Sequence, residues 1–247
     1  MWRVWFIQGN QDIQLRYKRS VLGPFWISAS LGSLVIGLAF LYSEIFQQDV
    51  REYAIFLAGG LIAWTFISAA ISEGATAVID YSVEMRGVRM PLSVLAGRVI
   101  YRNMVILLHN LPVGIITLYF CGSELTPRSL LIIPGIVTLW VFGVAASIAL
   151  APISARYRDM PEIIRSLLQL MFFLTPIFWL PDQATGRRAI FVDGNPFNTL
   201  IDLIRAPLIG KDYPEHFAIS LSLTLGITVA LAIVSWLTTR DKLYSWL

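Results

Sequence analysis

Apolar residues along this chain fall in long unbroken blocks, separated by short segments that carry nearly all the charge. A helix needs about 20 apolar residues to cross a bilayer core, so charge-free blocks of that scale read as spanning helices. They cover residues 20–43, 53–72, 103–123, 129–155 and 217–239. A shorter block, 166–181, reaches spanning length by taking in Ile163 and Ile164 and letting Arg165 snorkel. Thr175-Pro176 predicts a kink inside it. The pattern predicts an all-α integral membrane protein with six transmembrane helices.

Two segments outside those blocks also have helical spacing. Trp2, Phe6, Ile13 and Tyr17 lie on one side of a predicted N-terminal helix, with Arg3, Asn10, Gln14 and Lys18 opposite. This is the pattern of an amphipathic helix in the membrane interface, serving as an anchor, as a surface for a cytoplasmic partner, or as both. The second segment lies between the last two blocks. Asn195 is a predicted N-cap and Pro196 suits a first helical turn. Phe197, Leu200, Ile201, Ile204 and Leu208 form an apolar stripe, with Asn198, Asp202 and Arg205 away from it. Too short to span, this helix is re-entrant or lies on the outer interface, as a structural lid or as a gate. The organisation expected is an N-terminal cytoplasmic interfacial helix over 1–24 and a six-helix transmembrane domain over 25–247, with an outer gate segment at about 181–216.

Composition supports the membrane reading. Hydrophobic residues make up 56% and charged residues 14%, with a mean hydropathy of +0.67, against about 25% charged in a soluble domain. The net charge of +3 does not point to nucleic acid, because the basic residues sit in short loops. Placing the N-terminus inside puts Arg3, Arg16, Lys18, Arg19, Arg86, Arg89, Arg98, Arg102, Arg156, Arg158, Arg165, Arg240 and Lys242 on the cytoplasmic side. Arg51, Arg128, Arg187, Arg188, Arg205 and Lys211 then lie outside. This excess predicts that both termini are cytoplasmic. The first block follows a long aromatic and polar segment and is too long for a signal-peptide core, so it reads as a retained helix. Cys121 is the sole cysteine, which excludes an internal disulfide.

The chain carries few catalytic patterns. Gly210-Lys211 lacks the upstream glycine and following hydroxyl of a phosphate-binding loop. His109 and His216 have no nearby cysteines or paired acids to make a metal site, and no Gly-x-Ser-x-Gly elbow occurs. No cofactor is expected on this chain.

Two basic cytoplasmic stretches stand out: Arg86, Arg89, Met90 and Pro91 after the second block, and Arg156, Arg158, Asp159, Met160, Pro161 and Glu162 after the fourth. In the second, Asp159 is a predicted helix cap, with Glu162 at capping-box spacing and Pro161 in the first turn. They read as ordinary basic turns or as elements docking a motor protein. Glu73, Asp80 and Glu84 fall on one predicted helix face, where pairing with Arg98 or Arg102 is favoured over a role in transport. His109 is expected to hydrogen-bond a neighbouring helix. Among the aromatics, Trp26, Tyr42, Trp64, Phe172 and Phe173 are candidates to line a sugar path, since ring faces suit the apolar faces of sugars.

Several of these pieces, in order along the chain, resemble a known family. They are Leu15-Arg-Tyr-Lys-Arg-Ser-Val-Leu-Gly-Pro-Phe-Trp26, Met90-Pro-Leu-Ser, Arg158-Asp159, Thr175-Pro-Ile-Phe-Trp179 and Asn195-Pro-Phe. The set resembles the permease subunits of ABC exporters that move lipid-linked O-antigen, teichoic acid or capsular polysaccharide, and its first piece looks most like the O-antigen and teichoic-acid branch. The resemblance implies a homodimer in the bacterial inner membrane with two copies of a separate ABC ATPase, which carries the ATP and Mg. It implies that the two basic stretches are coupling helices on that ATPase and that Asn195, Pro196 and Phe197 belong to an exit gate. The cargo implied is a polyprenyl-pyrophosphate-linked glycan, and Arg16, Tyr17, Lys18 and Arg19 are candidates to recruit it. The chain itself is expected not to be an enzyme. A membrane-embedded enzyme on lipid-linked sugars and an ion-coupled transporter working alone are the alternatives. The first would need a clustered acid, base or metal site. The second rests on Glu73 and His109 only.

Overall fold

The computed structural model describes residues 2–18, 23, 25–88, 90–122, 125–181, 186 and 190–239. Among them are helices and no strand: α1 (Trp2–Tyr17), α2 (Phe25–Phe46), α3 (Val50–Asp80), α4 (Ser82–Gly87), α5 (Leu92–Phe120), α6 (Ile132–Arg156), α7 (Met160–Leu174), α8 (Ile190–Asp193), α9 (Pro196–Ile209) and α10 (Phe217–Thr239). A short 3₁₀ turn, Pro127–Leu131, leads into α6. Five segments are long and apolar enough to cross a membrane: α2, α3, α5, the 3₁₀ turn with α6, and α10.

Helix α3 is the centre of the bundle. At 31 residues it is about 46 Å long, more than a bilayer core requires. Asp49 starts it, its carboxylate accepting from the Arg51 N–H at 2.8 Å and the Glu52 N–H at 3.4 Å. α3 packs against α2, α5, α6, α7 and α9, and 78% of its most apolar window is buried. Lipid tails are as apolar as leucine, so close van der Waals fit, more than burial from water, holds such helices together. Small residues allow that fit: a Cβ on Gly59 would stand 2.9 Å from the Arg205 Cα on α9. The peripheral helices contrast with it, since only 22% of the corresponding window of α2 and 6% of that of α10 is buried.

The segment expected to span at 166–181 differs from expectation. α7 is a 15-residue helix that stops at Leu174 instead of kinking at Thr175-Pro176. A residue before proline is pushed out of the α region, and Thr175 has ψ 138. α7 buries Pro161, Ile164 and Leu168 against the bundle, while Ile163, Leu167, Leu170 and Phe173 make an exposed apolar stripe. α9 also departs from its pattern. The side chain of Asn195 does cap it, accepting from the Phe197 N–H at 2.9 Å. Gly210, with φ 76, ends it in the left-handed conformation that suits glycine. Yet every residue from Asn198 to Leu208 is buried, the polar three included. α9 is packed inside the protein, against α3, α6 and α10, so its polar residues face protein and not water.

α1 is a helix as expected, with a different contact face. It lies on α5 through Trp5, whose ring is 6.0 Å from that of Tyr101, and through buried Gly9. Phe6 is exposed although it also touches Tyr101, while Ile13 and Tyr17 are half-buried and Asn10, Gln14 and Lys18 exposed. The side chains of Trp2 and Arg3 lie outside the described set.

Candidate functional site

Two clusters of polar side chains mark opposite ends of the bundle. At the end carrying α1 and the basic turns, Asp12 of α1 is the hub. It accepts from Arg98 Nε and Nη2, each at 2.7 Å, and from the Tyr81 hydroxyl at 2.9 Å. Arg98 also donates to Glu84 at 2.6 Å and stacks on the Tyr81 ring at 3.9 Å. Arg102 donates to Glu73 at 2.8 Å and to the Tyr81 hydroxyl at 3.1 Å, and lies 3.7 Å from Asp12. Arg16 reaches Glu73 at 3.6 Å, and Asn103 donates to Glu73 at 2.9 Å. Burial raises the pKa of Asp12, but the bonds from Arg98 and Tyr81 and the guanidinium charges outweigh it, and the net pKa falls below the ordinary carboxylate value.

The expected pairing of Glu73 and Glu84 with arginines is thus present. Two details differ. Glu84 belongs to the separate helix α4, because α3 ends at Asp80. Asp80 accepts from the Thr76 hydroxyl at 2.7 Å, one turn back on its own helix. The His109 ring is engaged within its own helix, its Nδ1 2.7 Å from the Val105 carbonyl oxygen, while the His109 backbone carbonyl makes the bond to a neighbouring helix by accepting from the Ser28 hydroxyl of α2 at 2.6 Å.

The two basic turns meet. Arg86 and Ser82 of α4, Thr76, Ile79 and Asp80 of α3, and Arg158, Pro161, Glu162 and Arg165 around the start of α7 line one cleft of about 450 Å³. Asp159 is exposed there and makes no capping bond. With φ −83 and ψ −16 its backbone is already helical, whereas a side-chain cap usually needs the extended conformation. Glu162 bonds Arg165 at 2.5 Å, in place of the predicted capping box. Met160 is partly buried at the first turn of α7, and Arg156 at the end of α6 lies 5.3 Å from the Tyr157 ring. Pro91 is the N-cap of α5, with Met90 partly buried beside it. Arg89 and Arg19 lie outside the described residues, whereas Arg16 and Lys18 are exposed and Tyr17 is half-buried.

At the far end the chain unwinds after α7, and α9 satisfies it. Arg205 Nη1 donates to the Pro176 carbonyl at 2.5 Å, its Nε and Nη2 donate to Asp202 at 2.9 and 2.6 Å, and Nη2 donates to Asn198 at 2.7 Å. The guanidinium lies 4.7 Å over the Phe56 ring. The Tyr53 hydroxyl donates to the Phe178 carbonyl, and Asn195 donates to the Thr175 hydroxyl at 2.9 Å. Non-helical backbone at membrane depth persists only where protein or water replaces its lost hydrogen bonds, and here buried side chains do so.

The family model described as ABC-2 type transporter matches residues 4–209. The chain belongs to this family. Among curated proteins it is 27% identical over 210 residues to the O-antigen export system permease protein RfbA of Myxococcus xanthus, covering 83% of this chain and 80% of the relative. It is 25% identical over 195 residues to a protein of the same description from Klebsiella pneumoniae, covering 78% and 74%. A second Klebsiella pneumoniae relative is 24% identical over the same shares. This ABC-2 chain is accordingly a multi-pass transport subunit.

In the ABC-2 subunit the candidate path aromatics separate into two groups. Trp64 is buried, with its ring 5.7 Å from both Phe172 and Phe197, and Phe172 is 5.5 Å from Phe173. Phe178 joins them to Tyr42 at 5.8 Å. Phe197, expected at a gate, therefore belongs to the same aromatic cluster. Trp26 is 62% exposed at the start of α2 and stands apart. Among the described residues no group of three or more His, Cys, Asp or Glu could hold a metal ion. Sequence reasoning missed Asp12, Tyr81 and the Asp202–Arg205 pair. The last left a signal, since opposite charges three apart on an otherwise apolar helix are costly at membrane depth unless paired.

Proposed function

We propose that the chain is the permease subunit of an ATP-driven exporter that moves a polyprenyl-pyrophosphate-linked polysaccharide, such as O-antigen, across the bacterial inner membrane. It works as a homodimer with two copies of a separate ABC ATPase that binds the ATP and Mg. Family membership and the similarity to O-antigen export permeases support the substrate class. The observation that carries the mechanism is the shared cleft of Arg86, Arg158, Glu162 and Arg165. The helices behind it lead to different parts of the bundle. α4 follows the central α3, and α7 leads to the break at Thr175 and, through Arg205, to α9. A motor pressing on this cleft would push two rigid helices at once and pass displacement to the unwound segment and gate.

In this reading Arg16, Tyr17, Lys18 and Arg19 recruit the anionic lipid carrier at the cytoplasmic face, and Trp64, Phe172, Phe173 and Phe197 border the glycan path. The test is co-purification with the ATPase, followed by ATP hydrolysis and glycan export. Arg158→Glu combined with Arg86→Glu is expected to preserve folding and uncouple hydrolysis from export or weaken ATPase binding. The same reversal at Arg51, at the start of α3 and the opposite end of the bundle, is expected to do neither. Normal assembly and export in the double variant would reject the cleft as the coupling surface.

A further inference from the structure

Glu73 sits where an anion is surrounded by donors. One carboxylate oxygen faces Arg16 at 3.6 Å, and the other accepts from Arg102 at 2.8 Å and Asn103 at 2.9 Å. Two further buried donors of the same neighbourhood, the Tyr17 hydroxyl and Arg102 Nε, have no hydrogen-bond partner. Tyr17 feels the charges of Arg16, Glu73 and Arg102, while burial raises its pKa and keeps the phenol protonated as a donor. A carboxylate has too few oxygens for this donor set. A phosphate ester has more acceptor oxygens and more charge, and matches guanidinium forks bidentately.

The middle and the C-terminal end of α1 are also held differently. Its middle is fastened to α5 by the double Arg98–Asp12 bond and by Trp5 on Gly97. The ion pair at its C-terminal end is the long Arg16–Glu73 contact of 3.6 Å, with Arg16 47% exposed. This is the end that leads into α2.

We propose that Glu73 is a resident anion filling a seat, made by Arg16, Tyr17, Arg102 and Asn103, for a phosphate group carried on an isoprenoid lipid, and that the arriving phosphate displaces Glu73 and releases the end of α1 from α3. This rests on the lipid-linked cargo proposed above and assigns its docking point. Glu73 then acts as an autoinhibitory contact, which keeps the seat closed to weaker anions.

The test titrates fluorescently labelled farnesyl pyrophosphate into the full-length protein in uncharged detergent. Loss of a charged hydrogen-bond partner typically changes affinity by about tenfold or more. Arg102→Gln and Arg16→Gln are expected to weaken binding by about that factor, whereas Glu73→Gln, which removes the competitor, is expected to tighten it about tenfold. Glu73→Asp, whose carboxylate falls short of Arg16, is expected to move binding in the same direction and covers the case in which the glutamine variant folds poorly. A Glu73 that only braces the fold would weaken binding when replaced, and equal or weaker binding in both variants overturns displacement while leaving the cargo reading intact. Wild-type protein that binds no farnesyl pyrophosphate overturns both. Inorganic pyrophosphate and phosphatidylglycerol serve as competitors. If either displaces the probe as well as unlabelled farnesyl pyrophosphate does, the isoprenoid-phosphate assignment fails.

Discussion

At the basic end, Arg98 and Arg102 bind carboxylates from three other helices, Asp12 of α1, Glu73 of α3 and Glu84 of α4, and the cluster opens outward at Arg16 and at Glu84, which is 44% exposed. At the far end, Arg205 is closed in at 4% exposure, bonded to Asp202 and Asn198 of its own helix and to one carbonyl of the broken segment. The first cluster ties separate helices together, and a group there that loses one partner keeps others, since Asp12 also faces the Tyr81 hydroxyl and Arg102. The second lies within the protein, where a lost partner leaves a bare charge. Exchange of partners is therefore cheap at the basic end and costly at the far end. The surfaces proposed to admit cargo and receive a motor lie at the first end, and the fixed support for unwound backbone lies at the second.

The largest expected effect is at the far end. Arg205→Leu should destabilise by about 3–5 kcal/mol, because it strands Asp202 and the Pro176 carbonyl, and should appear as a collapse of the thermal transition in detergent. Arg205→Lys should recover little, since an ammonium cannot reach the three acceptors in the guanidinium plane.

Arg98→Gln at the basic end should cost less, about 1–3 kcal/mol, and should free α1 to protease while the bundle stays folded. A loss equal to that of Arg205→Leu would erase the contrast. Asp12 sharpens it through pH. Its folded pKa is lowered, so its contribution is complete above the ordinary value of 3.8 and fades as pH falls through the lower folded value. Acidification through that lowered value should release α1 in the wild type. Asp12→Asn should remove that step, and proteolysis of α1 across pH reads it.

Asn195→Ala should cost about 1 kcal/mol as a lost cap, with the Thr175 bond lost as well, and should show as a modest fall in melting temperature. The smallest effect belongs to Asp159→Ala, within about 0.5 kcal/mol, because the exposed side chain caps nothing. A melting shift as large as that of Asn195→Ala would show that Asp159 braces α7 after all.

Five of the six expected spans were legible because a bilayer imposes length and apolarity, and both are written locally. The Asn195 cap follows the same logic, since a cap acts within three residues. The pairing of Glu73 and Glu84 with arginines was legible because few cations were within reach. Asp12 was not, because it lies 86 residues from Arg98 and no local pattern marks so distant a partner.

Residue order by itself determined that this chain is a bundle of membrane helices with basic turns gathered at one end, because hydropathy and charge act on each segment separately. Only the tertiary structure decided which face of each short helix is buried. α9 has an amphipathic pattern, yet its polar stripe faces protein, because the break at Thr175-Pro176 leaves carbonyls that need donors and Arg205 supplies one. α1 has the pattern of an interfacial helix, yet its register is set by Asp12 meeting Arg98 and Gly9 fitting under Tyr101. A stripe of polar residues shows that partners are required, and the packing of distant helices decides whether water or another side chain provides them.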